Sequence, residues 1–239
     1  MSASTCTQTW FDLFRANHDP SRTAREADVL TRVLPPPPAR ILDVWCGYGR
    51  HAHLLAEAGY EVLGIDRDDH AVERARALHD HPRATFLVHD MTRIGDLPGP
   101  FDGITCMWQS FGYHDDTTNA GILRQMARQL TPGGRIVLDI YNRDFFACRQ
   151  GGRATTQQGI EIVTRQHLHD DRLIVDLDYR DRDERVSFDW QVFTPKAITR
   201  LAATLGLKRA LACASFDERQ PPSPDPPRMQ LVFTGPANP

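Results

Sequence analysis

Three carboxylates and two glycines are the residues of this chain whose types and spacing suggest chemistry. Asp43 lies in a strand-like run from Ile41 to Val44, Gly47 and Gly49 follow it, and Arg50 to Ala58 reads as a helix. A strand, a tight turn and a helix start make a seat for a nucleotide-like ligand, because the first helical N–H groups lack partners and glycines let a ligand approach the main chain. Asp66 ends the next strand-like run, twenty-three residues after Asp43, where a carboxylate can accept both hydroxyls of a ribose. Asp90 ends the third run, in His89-Asp90-Met91, placed to accept the amino group of a ring lying between strands. Singly, each acid reads equally as a loop carboxylate, and a Gly-x-Gly after a strand is often only a turn. The dinucleotide fingerprint asks for a third glycine three residues after Gly49; Ala52, which it tolerates, stands there, so the turn alone does not choose between nucleotide cofactors.

The elements that must position these groups alternate between strand and helix patterns. After Ile41 to Val44 and the helix ended by Gly59 come a strand at Glu61 to Ile65, a helix at His70 to Leu78 and a strand at Thr85 to Val88. A strand at Phe101 to Met107, a helix at Asn119 to Leu130 stopped by Pro132-Gly133-Gly134, and a strand at Arg135 to Ile140 continue the rhythm. Strands separated by single helices imply right-handed crossovers and an α/β, doubly wound, mostly parallel sheet whose ligands sit at the carboxyl ends of its strands. Beyond Asn142 three strand-like runs, Ile160 to Leu168, Arg172 to Arg180 and Arg185 to Phe193, alternate apolar and polar residues and predict an antiparallel meander. Thr194-Pro195 opens a further helix that Gly206 ends; strands at Arg209 to Phe216 and Met229 to Phe233 flank a rigid proline-rich connector from Pro221 to Pro227. Upstream, residues 5 to 34 read as helical, with Trp10, Phe11, Leu13 and Phe14 as an apolar cluster and Ser21 as the expected cap of a second segment. Trp10 to Phe14 serves either as core packing or as a lid over the glycine turn.

Composition bounds the function. At 239 residues, 41% hydrophobic and 25% charged, the chain suits one sizeable soluble domain. A net charge of -3 supplies no basic field for a nucleic-acid backbone. Five cysteines with no Cys-x-x-Cys pattern read as reduced thiols in a cytoplasm, and neither a signal peptide nor a membrane span is expected. His51-x-His53 on a helix faces two ways, His167-x-His169 lacks further ligands and His79-x-His81 lies in a loop, so no metal site is expected.

Taken together, these segments resemble the class I S-adenosylmethionine-dependent methyltransferases of the small-molecule branch. The resemblance rests on Ile41-Leu42-Asp43 with Cys46-Gly47-Tyr48-Gly49-Arg50-His51-Ala52, on Val62-Leu63-Gly64-Ile65-Asp66, on His89-Asp90-Met91 and on Ser110-Phe111-Gly112-Tyr113. Leu130-Thr131-Pro132-Gly133-Gly134-Arg135, Leu138-Asp139 before Asn142, Phe193-Thr194-Pro195 and Pro227-Arg228-Met229 extend it over roughly residues 20 to 235. It implies a Rossmann-like, seven-stranded sheet whose last strand is antiparallel, spanning residues 39–239. It also implies a helical lid over residues 1–38 and an antiparallel three-strand insert at about 155–193. The cofactor it implies is S-adenosyl-L-methionine. Asp43, Gly47 and Gly49 would form the turn against its methionine part, Asp66 with Arg67 beside it would hold the ribose, and Asp90 with Met91 the adenine. Met107 and Trp108 would close the far side at the end of the fourth strand.

Methyl transfer is an in-line displacement, so the protein must mainly align the nucleophile and remove its proton. His114 is the first candidate base, since an imidazole titrates near neutrality, although it also reads as an exposed loop histidine. Tyr113 follows as an orienting hydrogen bonder, with Tyr141 and Asn142 lining the same space. Trp45 stands where the family usually carries Gly, Ala or Pro, beside the methionine tail. It therefore raises an alternative, an enzyme that binds the cofactor but releases methylthioadenosine; a non-catalytic module keeping the fold is a third reading. Nucleic-acid methylation is disfavoured, because Gln109-Ser110 stands where base-methylating relatives carry Asn-Pro-Pro-Tyr. The acceptor atom and the oligomer, a homodimer among the options, are not legible.

Overall fold

A computed structural model describes Leu13, residues 19–182 and residues 184–236. Its body is a seven-stranded sheet: β1 (Arg40–Val44), β2 (Glu61–Asp66), β3 (Ala84–Val88), β4 (Phe101–Cys106), β5 (Leu130–Tyr141), β10 (Lys208–Ala214) and β11 (Arg228–Thr234). The order is β10-β11-β5-β4-β1-β2-β3, and β11 alone runs antiparallel to its neighbours. The chain winds outward from β1 through β2 to β3, then returns to β4 on the other side, so the switch point lies between β1 and β4. Both strands are almost wholly buried. Their side chains alternate between two clusters, one on each face. Leu42, Val44, Ile104, Ile136 and Leu138 face α4 (Asp116–Arg128) and α6 (Pro195–Thr204). Ile41, Val62 and Val137 face α1 (Pro20–Val33), α2 (Arg50–Glu57) and α3 (Asp69–Leu78).

A short helix, α5 (Arg143–Ala147), leads out of β5 into a second sheet of β6 (Gly151–Gln157), β7 (Ile160–His169), β8 (Arg172–Tyr179) and β9 (Glu184–Gln191), all antiparallel. This insert has four strands where the sequence predicts three. β6 escapes because its Gly-Gly-Arg-Ala-Thr-Thr run is exposed throughout and has no apolar alternation to detect. The cap of α1 is likewise Asp19, which accepts from Ser21 N, rather than Ser21 itself. Leu13 is helical and buried in the cluster beneath the insert, with Phe146, Phe188 and Trp190; Trp10, Phe11 and Phe14 lie outside the described residues. No helix among the described residues is long and apolar enough to cross a membrane.

The insert roofs the carboxyl edge of the main sheet and is docked there by main-chain bonds, side-chain bonds and ring packing together. Gln191 N donates to Gly112 O (2.8 Å) and Arg143 N to Phe193 O (3.0 Å), Asn119 Nδ2 donates to Gln191 Oε1 (3.0 Å) and Arg172 Nη1 to His114 O (2.8 Å), and Trp190 packs on Tyr113 and Tyr141. At Gly112, φ is +115° and an added Cβ would lie 2.4 Å from Gln191 O, so only glycine fits. Gly112→Ala is expected to cost about 3 kcal/mol from backbone strain and overpacking together. For a chain of this size that is a fall of roughly 6–12 °C in Tm, which differential scanning calorimetry would read.

Candidate functional site

The carboxyl ends of β1 and β4 turn sharply, and they do so without glycine. Trp45, directly after β1, has φ +59°, while Trp108 and Gln109, just after β4, have φ +55° and +50°. Large side chains in this left-handed region cost of order 1–3 kcal/mol each and persist where their surroundings hold them, typically at working sites. After Trp45, Cys46 N donates to Ile65 O (2.9 Å) and Gly49 N to Cys46 O (3.0 Å), closing the turn into α2. Gly47, at φ +55°, points its missing side chain into open space with no atom within 4 Å. Gly49 is needed for packing instead, since a Cβ there would lie 2.5 Å from the Phe86 ring.

The three acids surround this turn in different states. Asp66 Oδ2 accepts from Gly47 N (2.9 Å) and Oδ1 from Asp68 N (3.0 Å), yet burial pushes its carboxyl up to about 6. Asp43 is pushed up to about 6 as well, mainly by burial; Oδ1 accepts from Thr105 Oγ1 (2.8 Å) while Oδ2 is buried without a hydrogen-bond partner. At Asp90 burial is outweighed by hydrogen bonds from Thr92 and by the charges of His114 and Arg67, which hold the carboxyl below its usual value.

Trp45, Ile65, Asp66, Arg67, His89, Asp90, Met91 and His114 enclose one small pocket. The Trp45 indole leans on Tyr113, ring centres 4.7 Å apart, with the Arg67 guanidinium 5.5 Å from its face. What space remains is about 10 Å³, enough for a single water. Burial, with Arg67 nearby, holds the His114 imidazole below its ordinary value against the pull of Asp90.

The other residues singled out in the sequence lie elsewhere. Met107 is buried in the cluster shared with α1 and α2. Trp108 turns its indole away from the small pocket toward α1: Nε1 donates to Glu26 Oε2 (2.8 Å), and Arg22, Arg50 and Arg228 stand 4.6, 4.3 and 4.6 Å from its ring centre. Asn142 caps α5 and donates to Ser223 O (2.7 Å), a structural post. Tyr113 bridges Trp45 to Trp190 (4.9 Å), and Tyr141 lies edge-on to Trp190 (5.4 Å) with burial pushing its phenol up to about 12.

Glu26 was not legible as a functional residue. Its carboxylate, 1% exposed, also accepts from Arg22 (3.2 Å), Arg50 (3.0 Å), His51 (2.9 Å) and Arg228 (3.4 Å). The signal that could have found it is position: Glu26 falls on the face of α1 that carries Leu30 and Val33, where a carboxylate needs partners. Arg228 also reaches Asp139, which accepts from Trp108 N (2.9 Å) and Gln230 Nε2 (2.8 Å). The two histidines of the His-x-His pair diverge as helix geometry requires: His51 meets Glu26, and His53 stacks on His79 at 4.4 Å.

Between the roof and the carboxyl edge opens a second cavity of about 770 Å³, walled by Trp108, Gln109, Tyr141, Phe146, Phe188 and Trp190 among others. Tyr113 links Trp45 in the wall of the small pocket to Trp190 in the wall of this one.

Residues 41–134 match the family model described as a methyltransferase domain. Among curated proteins, a ubiquinone biosynthesis O-methyltransferase of Xanthomonas oryzae pv. oryzae (strain PXO99A) is 36% identical over 109 residues, 44% of this chain and 44% of that protein. One from Xanthomonas campestris pv. campestris (strain B100) is 35% identical over 111 residues, 45% of each. The chain thus spans less than half the length of the curated relatives it matches. Among solved structures, the CcbJ methyltransferase of Streptomyces caelestis superposes with a TM-score of 0.78 at 16% identity, over 93% of this chain and 92% of that one. CalS10, an amino pentose methyltransferase of Micromonospora echinaspora solved with S-adenosylmethionine bound, gives 0.72 at 21% identity, over 98% and 99%. These likenesses establish the fold.

The state of Asp43 is open to test. Because burial raises it to about 6, the folded chain binds this proton more tightly than the unfolded one, so ionised Asp43 costs stability above about pH 6 that is not lost below about pH 4. Asp43→Asn is therefore expected to gain on the native protein between pH 4 and pH 6 and to level off at about 3 kcal/mol above that. Thermal unfolding at pH 4 and pH 8 measures this, and a difference that stays constant between them would return Asp43 to its ordinary value.

Proposed function

We propose that this chain, which carries a methyltransferase domain on the class I Rossmann-like fold, transfers the methyl group of S-adenosyl-L-methionine to a small-molecule acceptor. The observation that carries the reading is the setting of Asp43, Asp66 and Asp90 around one glycine turn at the switch point of the sheet. The donor set fits the cofactor in kind. Gly47 faces open space, and Asp43 Oδ2 is a buried acceptor without a partner, suited to a cationic amino group. Asp66 would accept ribose hydroxyls, and Asp90 with Met91 would receive the adenine. The space between them admits no nucleoside until the Trp45 indole turns out of the pocket.

Bound there, the sulfonium supplies an activated methyl group and leaves the protein the tasks of aligning an acceptor and excluding water. In this reading His114 is a wall of the nucleoside site, beside Asp90, rather than a base for an acceptor in the large cavity. Tyr113 and Tyr141 align rather than deprotonate, since the phenol of Tyr141 is held up at about 12. Leu13, Arg22 of α1 and the roof sheet enclose the acceptor. The free thiols among the described residues, Cys46, Cys106, Cys148 and Cys213, and the net charge of -3 support a cytoplasmic enzyme with no nucleic-acid partner.

Isothermal titration with S-adenosylhomocysteine is expected to give a single site, weakened at least tenfold by Asp66→Ala; the absence of heat from the native protein would sink the reading. Trp45→Gly removes the indole and suits the backbone at φ +59°, so it is expected to tighten binding about tenfold, the equivalent of about 1.4 kcal/mol. An unchanged affinity would show that the indole does not block the site.

A further inference from the structure

The large cavity is selective in its charges. Among the described residues its wall holds four arginines, Arg22, Arg149, Arg153 and Arg228, and no aspartate, glutamate, histidine, lysine or cysteine. Arg22 and Arg228 are bound to Glu26 and Asp139. Arg149 lies at the rim, where it meets the exposed Asp225 (2.9 Å) and covers the face of Phe145 (4.4 Å). Arg153 stands on the exposed strand β6, forms no ion pair with a described residue, and its charge is felt at Tyr141 on the far wall. Two polar atoms in the same wall are buried with nothing to bond. Trp190 Nε1, in a side chain only 4% exposed, is a donor without an acceptor, and Gln109 Oε1 is an acceptor without a donor. The remaining wall is aromatic, with Phe188 stacked on Trp190 (5.0 Å) and Tyr141 edge-on to it (5.4 Å), a surface matched to a flat ring.

These features select the acceptor. An amine arrives in water as a cation, and the described wall meets it with guanidiniums and no carboxylate to hold it. A phenolic hydroxyl ionises near pH 10 in water, and guanidinium charge favours its anion. We infer, resting on the methyltransferase reading above, that the cavity takes a planar aromatic hydroxyl compound bearing a second, anionic group such as a carboxylate, and that its oxygen is methylated as the phenolate. The carboxylate would meet Arg153 and Arg149 at the rim. The hydroxyl end would lie against the Tyr141 and Trp190 rings, at the side where Tyr113 joins Trp190 to Trp45. The hydroxyl proton leaves to water. The phenolate oxygen then forms the bond to the methyl carbon while the carbon–sulfur bond breaks, and its electron pair stays on sulfur as a neutral thioether.

The charge preference can be read without cofactor. Tryptophan fluorescence of the full chain, titrated with 4-hydroxyphenylacetate and with tyramine, compares two flat phenols of similar size and opposite charge. The acid is expected to bind at least tenfold tighter, and Arg149→Gln with Arg153→Gln, both exposed at the rim, to abolish that preference while leaving Tm unchanged. Tyramine binding as tightly, neither compound binding, or a preference that survives both substitutions overturns the inference. S-adenosylhomocysteine titrated into the same sample separates the two readings: heat there with no preference for the acid sinks the acceptor class alone, and no heat sinks the methyltransferase reading itself.

Discussion

The buried carboxylate of Glu26 is the constraint on which the site's geometry depends. Burial alone would raise it, but the hydrogen bond and proximity of His51, the Trp108 indole and the Arg50 guanidinium hold it well below the usual carboxylate range. Burial and the charge of Arg50 in turn bring His51 down to about 4, so at neutral pH it donates a hydrogen bond as an uncharged ring. One carboxylate thereby gathers groups from α1, α2, the turn after β4 and the start of β11. Taking away one member of such a set leaves the others buried and uncompensated, typically at a cost of about 3–5 kcal/mol. The network also explains how Trp108 can sit at φ +55°: its ring is held between three guanidiniums while its backbone N–H is taken by Asp139. The end of β4 is thus fixed from the N-terminal side of the molecule, with Asp139 on β5 as its second anchor.

Much of the small pocket and its glycine turn was legible because the signals are local. Asp43, Gly47, Asp66 and Asp90 each lie at or just beyond the carboxyl end of a strand, and a parallel sheet brings such ends to one edge whatever the loops do. Trp45 stood out by residue type, but its direction depends on Tyr113, which lies far along the chain. The setting of His114 was hidden for the same reason. The turn at Gly112 is set by Gln191, in a strand seventy-nine residues later, and nothing near His114 announces that contact. Strand β6 left no trace because a strand exposed on both faces has no pattern to betray it. Glu26 looked like one more charge on a helix, and only the packing of α1 against α2 and β4 shows it to be interior.

The two halves of the site share one aromatic chain. Trp45 touches Tyr113, Tyr113 touches Trp190, and Trp190 touches both Tyr141 and Phe188. Rings packed edge to face at these distances do not slide independently, because each occupies the space its neighbour would move into. A rotation of Trp45 must therefore be accommodated by Tyr113, which in turn packs on Trp190 in the wall of the larger cavity. The small pocket and the large cavity are thereby mechanically adjacent.

The roof is held in part by atoms that every amino acid possesses. Main-chain bonds at Gly112, Gln191, Arg143 and Phe193 fix it to the main sheet, while Phe188 and Trp190 pack against Phe146, Tyr141 and Tyr113 beneath it. The side chains of β6 are exposed and stand outside that packing, so their identities can drift under mutation without the sheet coming loose. At that edge, selection on what the large cavity admits is uncoupled from selection on staying folded.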